Sequence, residues 1–223
     1  MLCCLFILYL IGMMDDLIGV RYRSKFVGQI LCGILLPISG LYFDNLHGLF
    51  GIYTLPYYIG IPFTVFLIVY ILNAINLIDG IDGLASGLSI ISFLAFSCMF
   101  IRLQWWMYSF ISLAAFSVLL PFFYYNVYGK IHRGRKIFMG DTGSLTIGML
   151  LAMMVIRLSM SDPVKESLFP GGIVIAFSFL IIPMLDVIRV VIHRLRNGKN
   201  HFFQTEIIST INSSPWVCLN IRH

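Results

Sequence analysis

Charged residues are scarce in this chain, which has 223 residues, of which only 11% are Asp, Glu, Lys or Arg. A soluble domain carries about 25% charged residues, so this chain has too few to cover a surface that faces water. Hydrophobic residues make up 59% of the sequence and lie in long runs, which is typical of membrane-spanning segments. The composition therefore excludes an ordinary soluble domain and predicts an integral membrane protein.

The sequence also lacks a metal-type cysteine spacing and internal repeats, and a cleavable signal peptide is the weaker interpretation of its first apolar run. Most of its five cysteines lie in apolar runs, where small buried thiols are expected. The first apolar run has no basic residues before it and no small-x-small cleavage site after it. The net charge of +5 fits basic loops on the cytoplasmic side of a membrane, so we expect no nucleic-acid partner.

Seven apolar segments predict an all-α, polytopic transmembrane helix bundle. A helix needs about 20 residues to cross the hydrocarbon core, and the first segment is shorter than that because Asp15 interrupts it. The predicted segments cover residues 1–14, 26–43, 57–78, 84–102, 105–125, 142–160 and 169–192.

One set of alternate loops, at residues 15–25, 79–83, 126–141 and 193–201, holds most of the basic residues, and 79–83 is the one loop of this set without any. The opposite loops and the adjacent span ends contain only Arg102, Arg157 and Lys165. The positive-inside rule therefore places the first set of loops in the cytoplasm. Most carboxylates fall at this same face, where an ionisable group is costly unless it is paired or bound to a ligand. They include Asp15, Asp16, Asp79, Asp82 and Asp141.

The first acidic motif is the adjacent pair Asp15 and Asp16. Neighbouring carboxylates repel each other unless a cation lies close by, and Mg²⁺ often bridges a carboxylate to a substrate phosphate. The alternative is that the pair only ends a helix at the water interface. The spacing favours neither interpretation.

The second motif runs from Asn73 to Gly87 and contains Asn76, Asp79 and Asp82 in an otherwise apolar stretch. The two aspartates are three residues apart, so they would share a face if they were helical. The glycines in this motif let a backbone approach a ligand closely. A helix-packing face of small residues is the alternative, but it does not explain two acids and two asparagines.

The third motif, from Phe138 to Leu145, opens the sixth predicted span. Asp141 followed by Thr142 and Ser144 predicts a helix N-cap, and the N–H groups of that helix end would suit a phosphate. Capping alone is a credible alternative. The basic stretch from Lys130 to Lys136 would anchor the inner leaflet or hold an anionic substrate, and neither interpretation dominates.

Together the three motifs resemble the polyprenyl-phosphate N-acetylhexosamine-1-phosphate transferases of glycosyltransferase family 4. They occur in the family's order, and the likeness runs from about Gly12 to Asn200. The run from Pro183 to Arg189 favours the N-acetylglucosamine branch. The resemblance implies that an undecaprenyl phosphate oxygen attacks the β-phosphorus of a uridine diphosphate sugar and that UMP leaves. This would be the first membrane step of cell-surface polysaccharide synthesis, at the cytoplasmic face of the inner membrane.

The resemblance also implies residue roles. Asp15 and Asp16 would be catalytic, and Asp141 would bind Mg²⁺, with Mn²⁺ as a substitute. The residues that would bind substrate are Lys25 for phosphate, Asn76, Asp79 and Asp82 for the nucleotide sugar, and Phe138 for stacking on uracil. The expected partners are a UDP-N-acetylhexosamine, a polyprenyl phosphate and the membrane, and a homodimer is one expected assembly.

The chain departs from the family pattern at both ends. The family has further spans before its Asp-Asp motif, which predicts an N-terminal truncation here. It also has a later loop that reads Pro-Asp-x-x-His-x-His-His. Synonymous codons for His201 to Asn212 can be chosen that encode such a loop when they are read one nucleotide out of frame. We therefore expect an incomplete transferase domain over residues 1–200 and an out-of-frame tail over residues 201–223.

The sequence leaves open two alternatives to an active transferase. An inactive remnant of the transferase would keep the motifs without turnover. A transporter would also keep acids in membrane segments, but it predicts acids near the bilayer midplane and repeated halves. The acids at one face and the lack of an internal repeat favour the transferase.

Overall fold

The computed structural model of the protein describes residues 2–48, 51, 53–129, 135–162 and 172–196. Within these residues every regular element longer than one turn is an α-helix, and the only β-type pairing is an isolated bridge between Asn45 and Thr54. The prediction of an all-α polytopic bundle is confirmed. The helices are α1 (Leu2–Ile18), α2 (Tyr22–Ile38), α3 (Tyr57–Ile78), α4 (Leu84–Arg102), α5 (Trp106–Tyr128), α6 (Gly140–Ser159), α7 (Gly172–Ser178) and α8 (Ile181–Arg196).

Four of the described helices, α3 to α6, are long and apolar enough to cross a membrane, and α7 with α8 can form a fifth, bent span. Helices α1 and α2 have 17 residues each, which is at the short end for a span. The protein is therefore a multi-pass membrane protein.

The last apolar segment is not the continuous helix that the sequence predicted. It is divided at residues 179–180, and its two parts differ in direction by 62°. Pro183 explains the break, because proline has no N–H to donate to the Phe179 carbonyl and its ring clashes with that carbonyl. The Ser92 hydroxyl donates to this free carbonyl oxygen instead, at 3.2 Å. A polar group that would be costly in lipid is thereby satisfied.

Helix α6 lies at the centre of the bundle and packs against α1, α3 and α7. Two glycines allow the closest approaches. A Cβ atom on Gly148 of α6 would lie 3.2 Å from Leu72 Cα of α3, and one on Gly12 of α1 would lie 2.5 Å from Thr142 Cα of α6. Without bulky side chains at these positions, the backbones come close enough for polar groups on three helices to meet.

Two helix boundaries differ from the predicted ones and change where the site residues lie. Helix α1 continues to Ile18, so Asp15 and Asp16 occupy its last turn and do not lie in a loop. Helix α2 begins at Tyr22, so Lys25 is in its first turn, where it is buried. Apolar composition alone ended the first segment at the acids, whereas α1 includes Asp15 and Asp16, which both have partners on other helices.

The chain divides into two compact units, Met1–Ile188 and Arg189–His223. All the predicted site residues belong to the first unit. Of the second unit, the structure describes only the end of α8. The predicted tail over 201–223, the domain boundary at 200 and most of the basic stretch that begins at Lys130 lie outside the described residues.

Candidate active site

The ammonium group of Lys25 joins two carboxylates that are far apart in the sequence. Its Nζ lies 3.3 Å from Asp15 Oδ2 and 2.5 Å from Asp141 Oδ2. The Lys25 side chain is only 9% exposed, so water screens these charges poorly. The three residues come from α2, α1 and α6, and their meeting places the first and third sequence motifs in one site.

Asp141 is also held by α3, through Asn76. The Asn76 amide donates to Asp141 Oδ1 and, at 2.8 Å, to the Ser144 hydroxyl. Each oxygen of Asp141 therefore has a partner, one cationic and one neutral. The Asn76 amide donates to protein groups here, which makes it a support for Asp141 in the present arrangement.

Asp16 caps the start of α6, and this corrects the prediction that Asp141 is its own N-cap. Asp16 Oδ1 accepts the Asp141 backbone N–H at 2.8 Å. Its Oδ2 accepts the Thr142 N–H at 3.0 Å and the Thr142 hydroxyl at 2.5 Å. The N-cap position itself is Met139, which makes no capping bond. A carboxylate is favourable at this end of a helix, but here it comes from another helix and uses N–H groups that the sequence had assigned to phosphate.

A layer of amides lies one helical turn away from the lysine, at Gln29 on α2 and Asn73 on α3. Asn73 Nδ2 donates to Gln29 Oε1 at 2.8 Å, and Gln29 Nε2 approaches Asn73 Oδ1 at 3.5 Å. Gln29 is fully buried. Because Lys25 precedes Gln29 by one turn and Asn76 follows Asn73 by one turn, this pair fixes the register that brings both residues to Asp141.

A second cluster lies on the loops beside the helix ends. Lys136 Nζ lies 2.5 Å from Asp82 Oδ2 and 5.4 Å from the centre of the Phe138 ring. The Phe138 side chain is exposed, with 69% of its surface accessible. The cluster therefore presents an aromatic face, a cation and a carboxylate together.

Asp79 lies in the loop between α3 and α4, where the charges of the other site carboxylates act on it. Burial raises its pKa to about 6, and the negative charges of Asp141, Asp16 and Asp82 add to the increase. Asp16, Asp82 and Asp141 are therefore close enough to affect Asp79. Asp79 has no basic partner among the described residues, so its charge is the least compensated of the four.

Comparison with known proteins shows the family of this chain. Residues 1–159 match Glycosyl transferase family 4, and this range includes helices α1 to α6 and every predicted site residue. The chain belongs to glycosyl transferase family 4. The resemblance inferred from the three motifs is confirmed.

Similar proteins include undecaprenyl-phosphate alpha-N-acetylglucosaminyl 1-phosphate transferases. The protein of that name from Yersinia pestis is 30% identical over 205 residues, and the one from Escherichia coli K12 is 30% identical over 210 residues. The Haemophilus influenzae protein is 32% identical over 200 residues. These matches cover 89–90% of this chain but 54–55% of the relatives. The chain therefore spans about half the length of the curated relatives it matches.

Seven of the eight predicted residues of this family 4 chain fall into two groups, and no bond within the described residues joins the Asp79 side chain to either. Asp15, Lys25, Asn76 and Asp141 are in one bonded cluster with Asp16 beside it, and Asp82 and Phe138 are joined through Lys136. The sequence analysis assigned no role to Gln29 and left Lys136 undecided between a lipid anchor and a substrate clamp. A polar residue four positions after Lys25, in an apolar helix, was the available signal for Gln29.

The cluster of Lys25, Asp15, Asn76 and Asp141, here called the lysine cluster, offers oxygen donors that suit a hard divalent cation. In the described part of the chain, no group of three or more His, Cys, Asp or Glu side chains is arranged to hold a metal ion. Mg²⁺ does not need such a cage, because it usually binds one or two carboxylates together with water and substrate phosphates. Asp141 offers the oxygen ligands, and the Lys25 ammonium contacts one of them.

Proposed function

We propose that this family 4 chain transfers N-acetylglucosamine-1-phosphate from a uridine diphosphate sugar to undecaprenyl phosphate and releases UMP. The observation that carries the proposal is the buried Lys25 ammonium shared between Asp15 and Asp141. The names of the similar proteins support the sugar and the lipid acceptor. Phosphoryl transfer depends mainly on alignment and charge neutralisation, which a fixed ammonium between carboxylates can supply.

In the proposed reaction, an oxygen of the lipid phosphate attacks the β-phosphorus of the nucleotide sugar. The new P–O bond joins the sugar phosphate to the lipid, and the bond to UMP breaks with its electron pair. Asp15 accepts the proton of the lipid phosphate, whose second pKa of about 6 leaves part of it protonated. Lys25 donates to a phosphate oxygen as negative charge develops.

Asp16 and Asn76 contribute to this reaction by holding Asp141. Asp16 fixes the first turn of α6, and Asn76 orients the carboxylate from α3. Of the two carboxylates predicted to be catalytic, Asp15 is therefore the one that meets the reacting phosphate, and Asp16 acts through α6.

Mg²⁺ is the proposed cofactor, with Mn²⁺ as a substitute and Asp141 as its protein ligand. When bound, the ion would neutralise charge on the diphosphate and orient it. Because Lys25 already shares the Asp141 carboxylate, the ammonium and the ion would share or exchange this group. The Lys25 ammonium would then pair with the phosphate oxygens.

The loop cluster is proposed as the place where the nucleotide binds. The exposed ring of Phe138 offers a stacking surface for uracil, and Lys136 beside it offers a cation for phosphate. Asp79 and Asp82 are proposed to accept hydrogen bonds from sugar hydroxyl or base N–H groups.

The proposed location is the inner membrane, with the site at the cytoplasmic face and the polyprenyl chain in the lipid. The concentration of basic residues in the loops on that side supports this orientation. A homodimer is the proposed assembly, and chemical cross-linking in membranes would test it.

The full chain in membrane vesicles should convert radiolabelled UDP-N-acetylglucosamine and undecaprenyl phosphate to a labelled lipid and UMP when Mg²⁺ is present. Asp15→Asn should abolish this product and still bind the nucleotide sugar, because Asp15 lies in the lysine cluster and not in the loop cluster. Binding without any turnover by the wild-type chain would refute the transfer. Failure to bind the nucleotide sugar would refute the site.

A further inference from the structure

One buried side chain connects the two segments of the loop cluster, which consists of Asp82, Lys136 and Phe138. Asn126, in the last turns of α5, is only 5% exposed. Its Oδ1 accepts the Gly83 backbone N–H at 2.6 Å, and its Nδ2 donates to the Ile137 carbonyl oxygen at 2.8 Å. Gly83 and Ile137 are far apart in the sequence, so this amide is a bridge between separate segments.

The backbone of both segments is packed tightly against α5. Gly83 has a φ of +78°, and a Cβ atom there would lie 3.3 Å from the Phe123 ring and would overlap Val127. A Cβ atom on Gly129 would lie 2.6 Å from the Arg135 carbonyl oxygen. The two segments therefore reach α5 only because glycines are present at the contacts, and Asn126 lies where they meet.

The residues next to the two anchor points are the ones that form the cluster. Asp82 precedes Gly83, and Lys136 and Phe138 flank Ile137. The ion pair between Asp82 and Lys136 thus lies directly beside the Asn126 bridge. A change in the distance between the two anchors would separate the carboxylate from the cation and move the aromatic ring.

We propose that Asn126 is a positioning residue for the nucleotide half of the site. It holds Asp82, Lys136 and Phe138 in the arrangement that receives the uridine diphosphate group, without contacting the substrate itself. The proposal rests on the proposed function, because it assigns the nucleotide to this cluster. It also makes α5, which carries none of the predicted site residues, part of substrate recognition.

Asn126→Asp tests the proposal with a side chain of the same shape. The carboxylate still accepts the Gly83 N–H but opposes the Ile137 carbonyl oxygen, so one side of the bridge opens. We expect the KM for UDP-N-acetylglucosamine to rise about tenfold, since this corresponds to the loss of one well-formed hydrogen bond. The kcat and the KM for undecaprenyl phosphate should each change by no more than about threefold, because the hydrogen bonds and ion pairs of the lysine cluster are kept.

Ser112→Ala is the matched control on the same helix. Ser112 is fully buried and donates to the Met154 sulfur at 3.4 Å, outside the loop cluster. It should lower the melting temperature without changing either KM. Asn126→Gln, which keeps the amide oxygen and nitrogen on a longer side chain, provides a milder second variant if Asn126→Asp does not fold.

Hydrogen exchange provides a readout that does not depend on activity. The Gly83 amide should exchange slowly in the wild-type chain and faster in Asn126→Leu. Equal changes in both KM values, or a lower melting temperature with no change in KM, would overturn the positioning role. If the bridge is present by hydrogen exchange but the wild-type chain does not bind the nucleotide sugar, the proposed function fails and the bridge remains.

Discussion

The two halves of the site are built differently. The lysine cluster is made from helix ends on α1, α2, α3 and α6, is largely buried, and has each carboxylate bonded to a group on another helix. The Asp82, Lys136 and Phe138 cluster is made from loops and is partly open to solvent. Rigid elements hold reacting groups with small positional error, whereas loops adapt to a ligand. The comparison suggests that chemistry belongs to the first half and recognition to the second.

Lys25→Met should have the largest effect and would test the chemical half. It leaves two carboxylates close together in a poorly solvated place, without their cation. We expect the transfer rate to fall by about 10³-fold, the upper range for loss of one fixed electrostatic group. Lys25→Arg is the control, because it keeps the charge. A Lys25→Met enzyme within tenfold of the wild type would remove the reason for assigning chemistry to this cluster.

Asp16→Ala should come next, because it removes three hydrogen bonds to the first turn of α6. The expected loss is about 1–2 kcal/mol of stability, as for a helix cap, with a fall of about 100-fold in rate because Asp141 shifts. Asp44→Ala is a matched control, since Asp44 also accepts a backbone N–H, from Ser161 at 2.9 Å. Thermal unfolding should show both losses, and only Asp16→Ala should slow transfer. Equal rates in the two variants would contradict the role given to α6.

Phe138→Leu tests the recognition half. Stacking of a base on an aromatic ring contributes about 1–3 kcal/mol, so the KM for the nucleotide sugar should rise by at least about fivefold. The melting temperature should not change, because the ring is mostly exposed. Tyr128→Leu, another exposed aromatic near the end of α5, is the control. An unchanged KM for the nucleotide sugar in Phe138→Leu would separate this loop from nucleotide binding.

The pH dependence of Asp79 should give the smallest effect. Its pKa is about 6 in the folded protein and 3.8 as an ordinary side chain, so the folded state holds the proton more tightly. The folded protein is therefore most favoured below about pH 4 and loses stability as the pH rises through 6. Asp79→Asn should remove this slope from melting temperatures measured without nucleotide. The same slope in both proteins would mean that another group titrates.

The sequence predicted which carboxylates would meet, because motif order and loop sidedness restrict Asp15 and Asp141 to one face of the bundle. It also pointed to Lys25 through the family resemblance. It did not predict that Asp16 caps α6, because a helix cap supplied by another helix depends on tertiary packing. The register between α2 and α3, set by Gln29 and Asn73, was not predicted either, because a polar residue in an apolar helix indicates that it has a partner but not which one.

Element boundaries were the weakest part of the sequence prediction. Hydropathy stopped the first segment before Asp15, yet α1 continues because Asp15 and Asp16 both find partners on other elements. Hydropathy also predicted one last span, whereas Pro183 divides it. In both places a specific hydrogen bond or its loss decided the structure, and an average over a window of residues does not contain that information.

The most direct test of the central claim is a double-mutant cycle of transfer rates for Lys25→Met and Asp141→Asn in the full chain. If the ammonium and the carboxylate act as one unit, the double variant should be about as slow as the slower single variant. Effects that multiply independently would contradict the claim that these two side chains form one catalytic cluster.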